Sequence, residues 1–149
     1  MRWNACVACY LFAPYVLAVG IFAAPVFTTI SKGDVSEQET PRQVVVRTPA
    51  EWQAVWSAHA PSARLPAVDF ATKMVVGIFL GTKATGGYDV AVVNVREDGN
   101  ALVIEYVVHS PGRDLMTAQI LTQPYHLIAL PKHPDPIRFA VVADQGSLK

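Results

Sequence analysis

Four histidines, a scatter of carboxylates and two glycine-bearing turns are the residues of this chain that could do chemistry. His109 is followed by Ser110, and Asp114 lies close by. A serine nucleophile needs a base within hydrogen-bond reach. Neighbours on a strand point to opposite faces, so His109 cannot readily serve Ser110 while the strand continues. No GxSxG elbow is present to expose a nucleophilic serine. His59, His109, His126 and His133 form no HxH or HxxxH pair, and none has a carboxylate at a helical spacing that would preform a metal site. His133-Pro134-Asp135 reads as a solvated polar corner, and His126 as a strand residue with one hydrogen-bond partner. Asp89, Glu97, Asp98 and Glu105 could do acid–base work only if burial drove their pKa values apart. Their placement around a hairpin reads instead as a solvated outer face. No catalytic residue, metal site or cofactor is expected.

The glycines pose a different question. The stretch GTKATGGY, Gly81 to Tyr88, begins with glycine and contains a lysine, yet a strand rather than a helix follows it. A phosphate cradle needs GxxxxGK[ST], or GxGxxG opening a helix, so nucleotide binding is not expected. Gly86-Gly87 supplies backbone freedom: a tight turn between two strands, or an exposed loop that aims Tyr88.

The chain has 149 residues, enough for one domain with its own core. It is 52% hydrophobic with a formal net charge of +0. Its charges form no run, which excludes the basic stripe of a nucleic-acid binder and a polybasic membrane patch. No charged residue lies between Arg2 and Lys32. Residues 1–27 are therefore expected to be an export signal or an uncleaved membrane anchor. Pro14 and Pro25 tilt the choice to a signal, and Ala18-Val19-Gly20 offers small residues for cleavage. Cys6 and Cys9 have CxxC spacing, but no histidines, second pair or βαβ pattern accompany them, so neither zinc nor redox chemistry is expected.

Residues 28–41, polar and rich in breakers, read as a linker to a domain over 42–149. The domain opens with a strand over 42–48. Thr48, Pro49 and Glu51 then form a helix start with a capping box. Trp52, Val55, Trp56 and His59 share one face of that helix, which predicts burial against a sheet. Residues 74–80 form a continuous apolar run expected of a strand buried on both faces. Residues 88–97 and 101–109 flank Asp98-Gly99, a hairpin signal whose two central residues are expected at positive φ. Further strands are expected over 118–121, 125–130 and 137–143. One helix among six or seven strands predicts an α+β domain. Its sheet should be mostly antiparallel, a β-sandwich or half-open barrel with the helix packed on one side.

Several fragments fall in order: EWQAVW, DFATKMVVGIFLGTKATGGYDVAV, EDGNALVIEY, SPG, TQPYHLIALPK and IRFAVV. Together they resemble the PrcB C-terminal domain family over about residues 51–142. GTKATGGY and QPYHLIALPK are the most specific parts. The resemblance implies an exported bacterial protein that assembles with, or stabilises, a protease and has no catalytic centre of its own. Many members carry a cysteine shortly after the SPG turn. Met116 stands in that neighbourhood here, so no thiol or disulfide role carries over. The expected function is thus a non-enzymatic module, periplasmic, surface-exposed or secreted, that binds a protein partner such as a protease. The alternatives are a protease inhibitor presenting the TGGY loop and an enzyme using His109. No nucleic-acid partner is expected, and membrane contact only through an uncleaved N-terminal segment. The expected contact surface is Thr85, Gly86, Gly87 and Tyr88 with the Pro124-Tyr125 loop, since aromatics on rigid loops anchor interfaces.

Overall fold

The computed structural model of the protein describes residues 27–112 and 116–143. The N-terminal apolar segment with Cys6 and Cys9, and Asp114, lie outside the described residues. Seven strands and one helix follow in the order β1 (Thr28–Gly33), β2 (Arg42–Val46), α1 (Pro49–His59), β3 (Lys73–Phe79), β4 (Asp89–Asp98), β5 (Ala101–His109), β6 (Tyr125–Pro131) and β7 (Ile137–Val141). Among the described residues, no helix is long and apolar enough to cross a membrane.

The strands form two sheets, one in the order β1-β6-β3-β2 and the other β4-β5-β7. Their stacking is a sandwich rather than a closed barrel, with α1 as a third layer. All neighbours pair antiparallel except β5 and β7, which run parallel. The four-stranded sheet is therefore the middle layer and is covered on both faces. Met74, Val76, Ile78, Ile128 and Leu130 point from it toward Val90, Val92, Leu102, Ile104 and Tyr106 of the second sheet. Val44, Val46, Val75, Phe79, Tyr125 and Leu127 point the other way, toward Trp52 and Trp56. This double burial is why β3 and β6 read as nearly unbroken apolar runs.

Helix α1 starts as its sequence dictates. The Thr48 hydroxyl accepts from the Glu51 N–H at 3.3 Å, and the Glu51 carboxylate accepts from the Thr48 N–H at 3.2 Å and the Arg47 N–H at 2.8 Å. Those bonds hold the Glu51 carboxyl below its ordinary pKa. Thr48→Ala is expected to cost about 1 kcal/mol, read from the urea midpoint, with no change in the dependence on denaturant. Trp52, Trp56 and His59 are buried as their stripe predicts. The tryptophan N–H groups donate to Pro66 O and Ala63 O, which folds the 60–68 loop back against the helix.

Three expectations are corrected. Residues 28–33, read as linker, form β1 and pair with β6. The strand expected over 118–121 is absent, because no neighbouring strand takes up its backbone groups. Only Thr122 makes a ladder contact, an isolated bridge to Lys83. The central residues of the β4–β5 turn are Gly99 and Asn100, not Asp98 and Gly99, and only Gly99 has positive φ, at 62°. Glycine at the first central position alone marks a type II′ turn, which suits the strand twist as well as the type I′ the sequence suggested.

Candidate functional site

The TGGY loop is not a tight turn between paired strands. β3 ends in the middle sheet and β4 begins in the other, so residues 80–88 cross from one sheet to the next. The crossing leaves β3 through Gly81, whose φ is 67°. A Cβ there would lie 2.7 Å from both the Glu39 carbonyl oxygen and the Pro41 nitrogen. The Thr82 N–H then donates to Glu39 O at 2.9 Å.

From Lys83 onward the loop is bound to the segment 116–123. Lys83 and Thr122 exchange two backbone hydrogen bonds, of 2.7 and 3.0 Å. The Gly86 N–H donates to Ala118 O at 2.9 Å, and the buried Thr122 hydroxyl donates to Thr85 O at 3.0 Å. Gly87, at φ 87°, brings its backbone against Pro111 and Thr117, where a Cβ would approach the Pro111 ring carbon at 3.0 Å. Four backbone-anchored contacts thus hold two irregular segments side by side. Thr85, Gly86 and Tyr88 are half-buried and Gly87 is exposed. Tyr88 receives the Lys83 ammonium 5.5 Å from its ring centroid, within cation–π range.

The partner segment supplies what sequence reading missed. Met116 is fully exposed, and Ile120 and Leu121 are 58% and 69% exposed. Three large apolar side chains on one short segment form the kind of surface that marks an interaction site. The signal was present in MTAQIL, but the strand expected there assigned those side chains to a sheet.

The other half of the expected surface is corrected. Pro124 and Tyr125 are both buried, and Tyr125 is the first residue of β6 rather than part of a loop. The Tyr125 ring lies 4.1 Å from His59 and 6.1 Å from Phe79, and its hydroxyl pairs with the Ser31 hydroxyl at 2.8 Å. Tyr125 belongs to the core because β6 is central in a sheet covered on both faces.

The histidines each have a structural setting. His59 Nδ1 meets the Ser36 hydroxyl at 2.7 Å. The Ser36 oxygen also accepts from the Gln38 N–H at 3.0 Å. The Ser36–His59 bond fastens residues 36–38 to the end of α1, beside a cavity of about 290 Å³. Burial lowers the His59 pKa. His126 has two partners rather than one. Its Nδ1 accepts from the Val92 N–H at 2.9 Å, which leaves Nε2 to donate to the Thr29 hydroxyl at 2.9 Å. Val92 can turn its N–H outward because β4 carries a register shift between Val92 and Asn94. His133 lies in the corner after β6, 3.7 Å from Glu97 and from Asp135, and the Arg47 guanidinium donates to the His133 and Asp135 carbonyls. His109 ends β5, half-buried and in register with Asp89. It lines neither the cavity beside His59 nor a groove beside β2.

The carboxylates are spread among basic partners rather than paired with one another. Asp89 binds Lys32 at 2.7 Å, and Glu105 binds Arg96 at 2.7 Å and Asn94 at 3.0 Å. Hydrogen bonding to Arg96 lowers the Glu105 pKa and keeps it charged. Among the described residues, no group of three His, Cys, Asp or Glu side chains could hold a metal ion.

Of the expected contact surface, only the Thr85–Tyr88 loop, stapled to residues 116–123, stays at the surface. The TGGY loop and its partner segment both fall within the stretch matched by a family model. No curated protein and no solved structure matches the chain. A family model described as PrcB C-terminal does match, over residues 74–131. The match runs from the first buried residue of β3 to the end of β6, so this segment of the chain is similar to the PrcB C-terminal family.

Proposed function

We propose that the domain is a non-catalytic, exported protein-binding module, an accessory or stabilising partner of an extracytoplasmic protease. The observation that supports it best is the stapled platform: Gly86-Gly87-Tyr88 beside the exposed Met116, Ile120 and Leu121. Rigid backbone bearing an aromatic and several aliphatic side chains loses little entropy on docking. The family match favours a protease complex as the partner. The export assignment rests on the apolar, charge-free run between Arg2 and Lys32.

Affinity capture with the tagged chain from host envelope extract tests this reading. A protease is expected to co-purify, and Leu121→Asp to reduce its recovery at least tenfold, since a desolvated aspartate replaces an apolar contact. Tyr88→Ala is expected to unfold cooperatively, like the wild type, and to weaken capture. Recovery of the chain alone counts against the proposal. Turnover of a fluorogenic peptide by the captured protease separates the roles: retained activity marks an accessory subunit, and loss of activity marks an inhibitor.

A further inference from the structure

The middle sheet has an open edge. Among the described residues, β2 pairs only with β3, and none of its residues makes a backbone hydrogen bond outside that ladder. A row of unpaired N–H and C=O groups is a template for another strand. Two of the other edges are irregular: β1 has a register shift between Thr29 and Ser31, and β4 one between Val92 and Asn94. β2 is regular through all five pairs, from Arg42 opposite Phe79 to Val46 opposite Val75. It is also bordered by the helix. A groove of about 380 Å³ runs along β2, walled on the other side by Glu51, Ala54 and Val55 of α1.

Charge distinguishes the two ends of this groove. Arg42 is exposed and forms no ion pair among the described residues. Glu51, at the other end, is already engaged by the Arg47 and Thr48 N–H groups. An antiparallel strand added to β2 would place its C-terminal end at Arg42. A carboxylate there would meet a free guanidinium, which can bind it in a bidentate fork. Alternate side chains of the added strand would lie toward Ala54 and Val55 on the wall of the groove.

From this geometry we propose that the β2 edge and its groove bind an extended peptide of another protein as an added antiparallel strand, with a C-terminal carboxylate held by Arg42. This is recognition by β-augmentation. It goes beyond the loop platform and is independent of Tyr88 and Leu121.

The probe is a fluorescent octapeptide of alternating threonine and valine with a free C-terminal carboxylate, titrated against the full-length chain by anisotropy. Its C-terminal amide and a form N-methylated at alternate residues are measured beside it. The free acid is expected to bind, the amide at least tenfold more weakly, and the N-methylated form not at all. Arg42→Glu should reduce free-acid binding to the level of the amide. Ala54→Trp fills the groove from an exposed helix position, and should abolish binding without lowering the melting midpoint. Equal binding of the N-methylated peptide would overturn strand addition, and indifference to Arg42→Glu would overturn the carboxylate site. An absent signal, with self-association that Ala54→Trp dissolves, would assign the edge to a second copy of the chain.

Discussion

Gly81→Ala should destabilise the domain by about 2–4 kcal/mol, more than any other single methyl added to its loops. Two costs combine. Gly81 has φ 67°, where an L-residue loses about 1–2 kcal/mol. The added methyl would also lie 2.7 Å from the Glu39 carbonyl oxygen and the Pro41 nitrogen, both backbone atoms that cannot rotate away. Gly99→Ala separates the two. Its φ is 62°, but nothing lies within 4 Å of the added carbon. It should cost only the conformational part, about 1–2 kcal/mol. Urea unfolding of the two variants measures the difference directly. Equal losses would mean that the 39–41 segment moves aside, and that the exit of β3 is not held where the TGGY loop needs it.

A second large effect is acid destabilisation through His126. Its side chain is 4% exposed, accepts at Nδ1 from the Val92 N–H and donates from Nε2 to Thr29. Burial, aided by the Lys32 charge and opposed by Asp89, lowers its pKa from 6.5 to about 4. The folded state therefore resists protonation that the unfolded state accepts. Stability is complete above pH 6.5 and is lost as pH falls toward 4, by about 2 kcal/mol at pH 5 and about 3 kcal/mol below pH 4. His59, whose pKa burial also lowers, contributes in the same direction. The Glu51, Asp69 and Glu105 carboxyls are likewise lowered, but their stabilisation fades only below their unfolded values of 4.5, 3.8 and 4.5. Chemical denaturation at pH 7.5 and 5.0 thus isolates the histidines. His126→Asn keeps an acceptor for the Val92 N–H and has no imidazole to titrate. It should lose about 1 kcal/mol at pH 7.5 and show a much smaller decline to pH 5.0. An unchanged decline would place the acid sensitivity elsewhere.

Much of the framework was legible because the signals are local. The Thr48-Pro49-Glu51 start, the Trp52/Trp56/His59 stripe and the Asp98-Gly99 hairpin all act within a few residues, and each appears in the structure. The double burial of β3 was legible from its unbroken apolar run. What failed was non-local. β1 is polar because it is an edge strand, and only its pairing with β6 distinguishes it from a linker. Tyr125 looked like a loop aromatic after Pro124; its burial follows from the position of β6 between β1 and β3, which no short window encodes. The platform was half legible. The glycine pair announced a special backbone, but its partner is the 116–123 segment, joined through a bridge that spans 39 residues of chain from Lys83 to Thr122. The apolar side chains there read as strand because periodicity does not say whether a neighbour exists to pair with.

The central claim, that the stapled platform is the face presented to a protease, is tested most directly by site-specific photocrosslinking. A photoreactive residue at Leu121, 69% exposed beside the TGGY loop, is compared with one at Ser57, exposed on α1. In intact cells the account predicts a crosslinked protease from position 121 and none from position 57. A protease crosslinked only from Ser57, or from neither position, would contradict it.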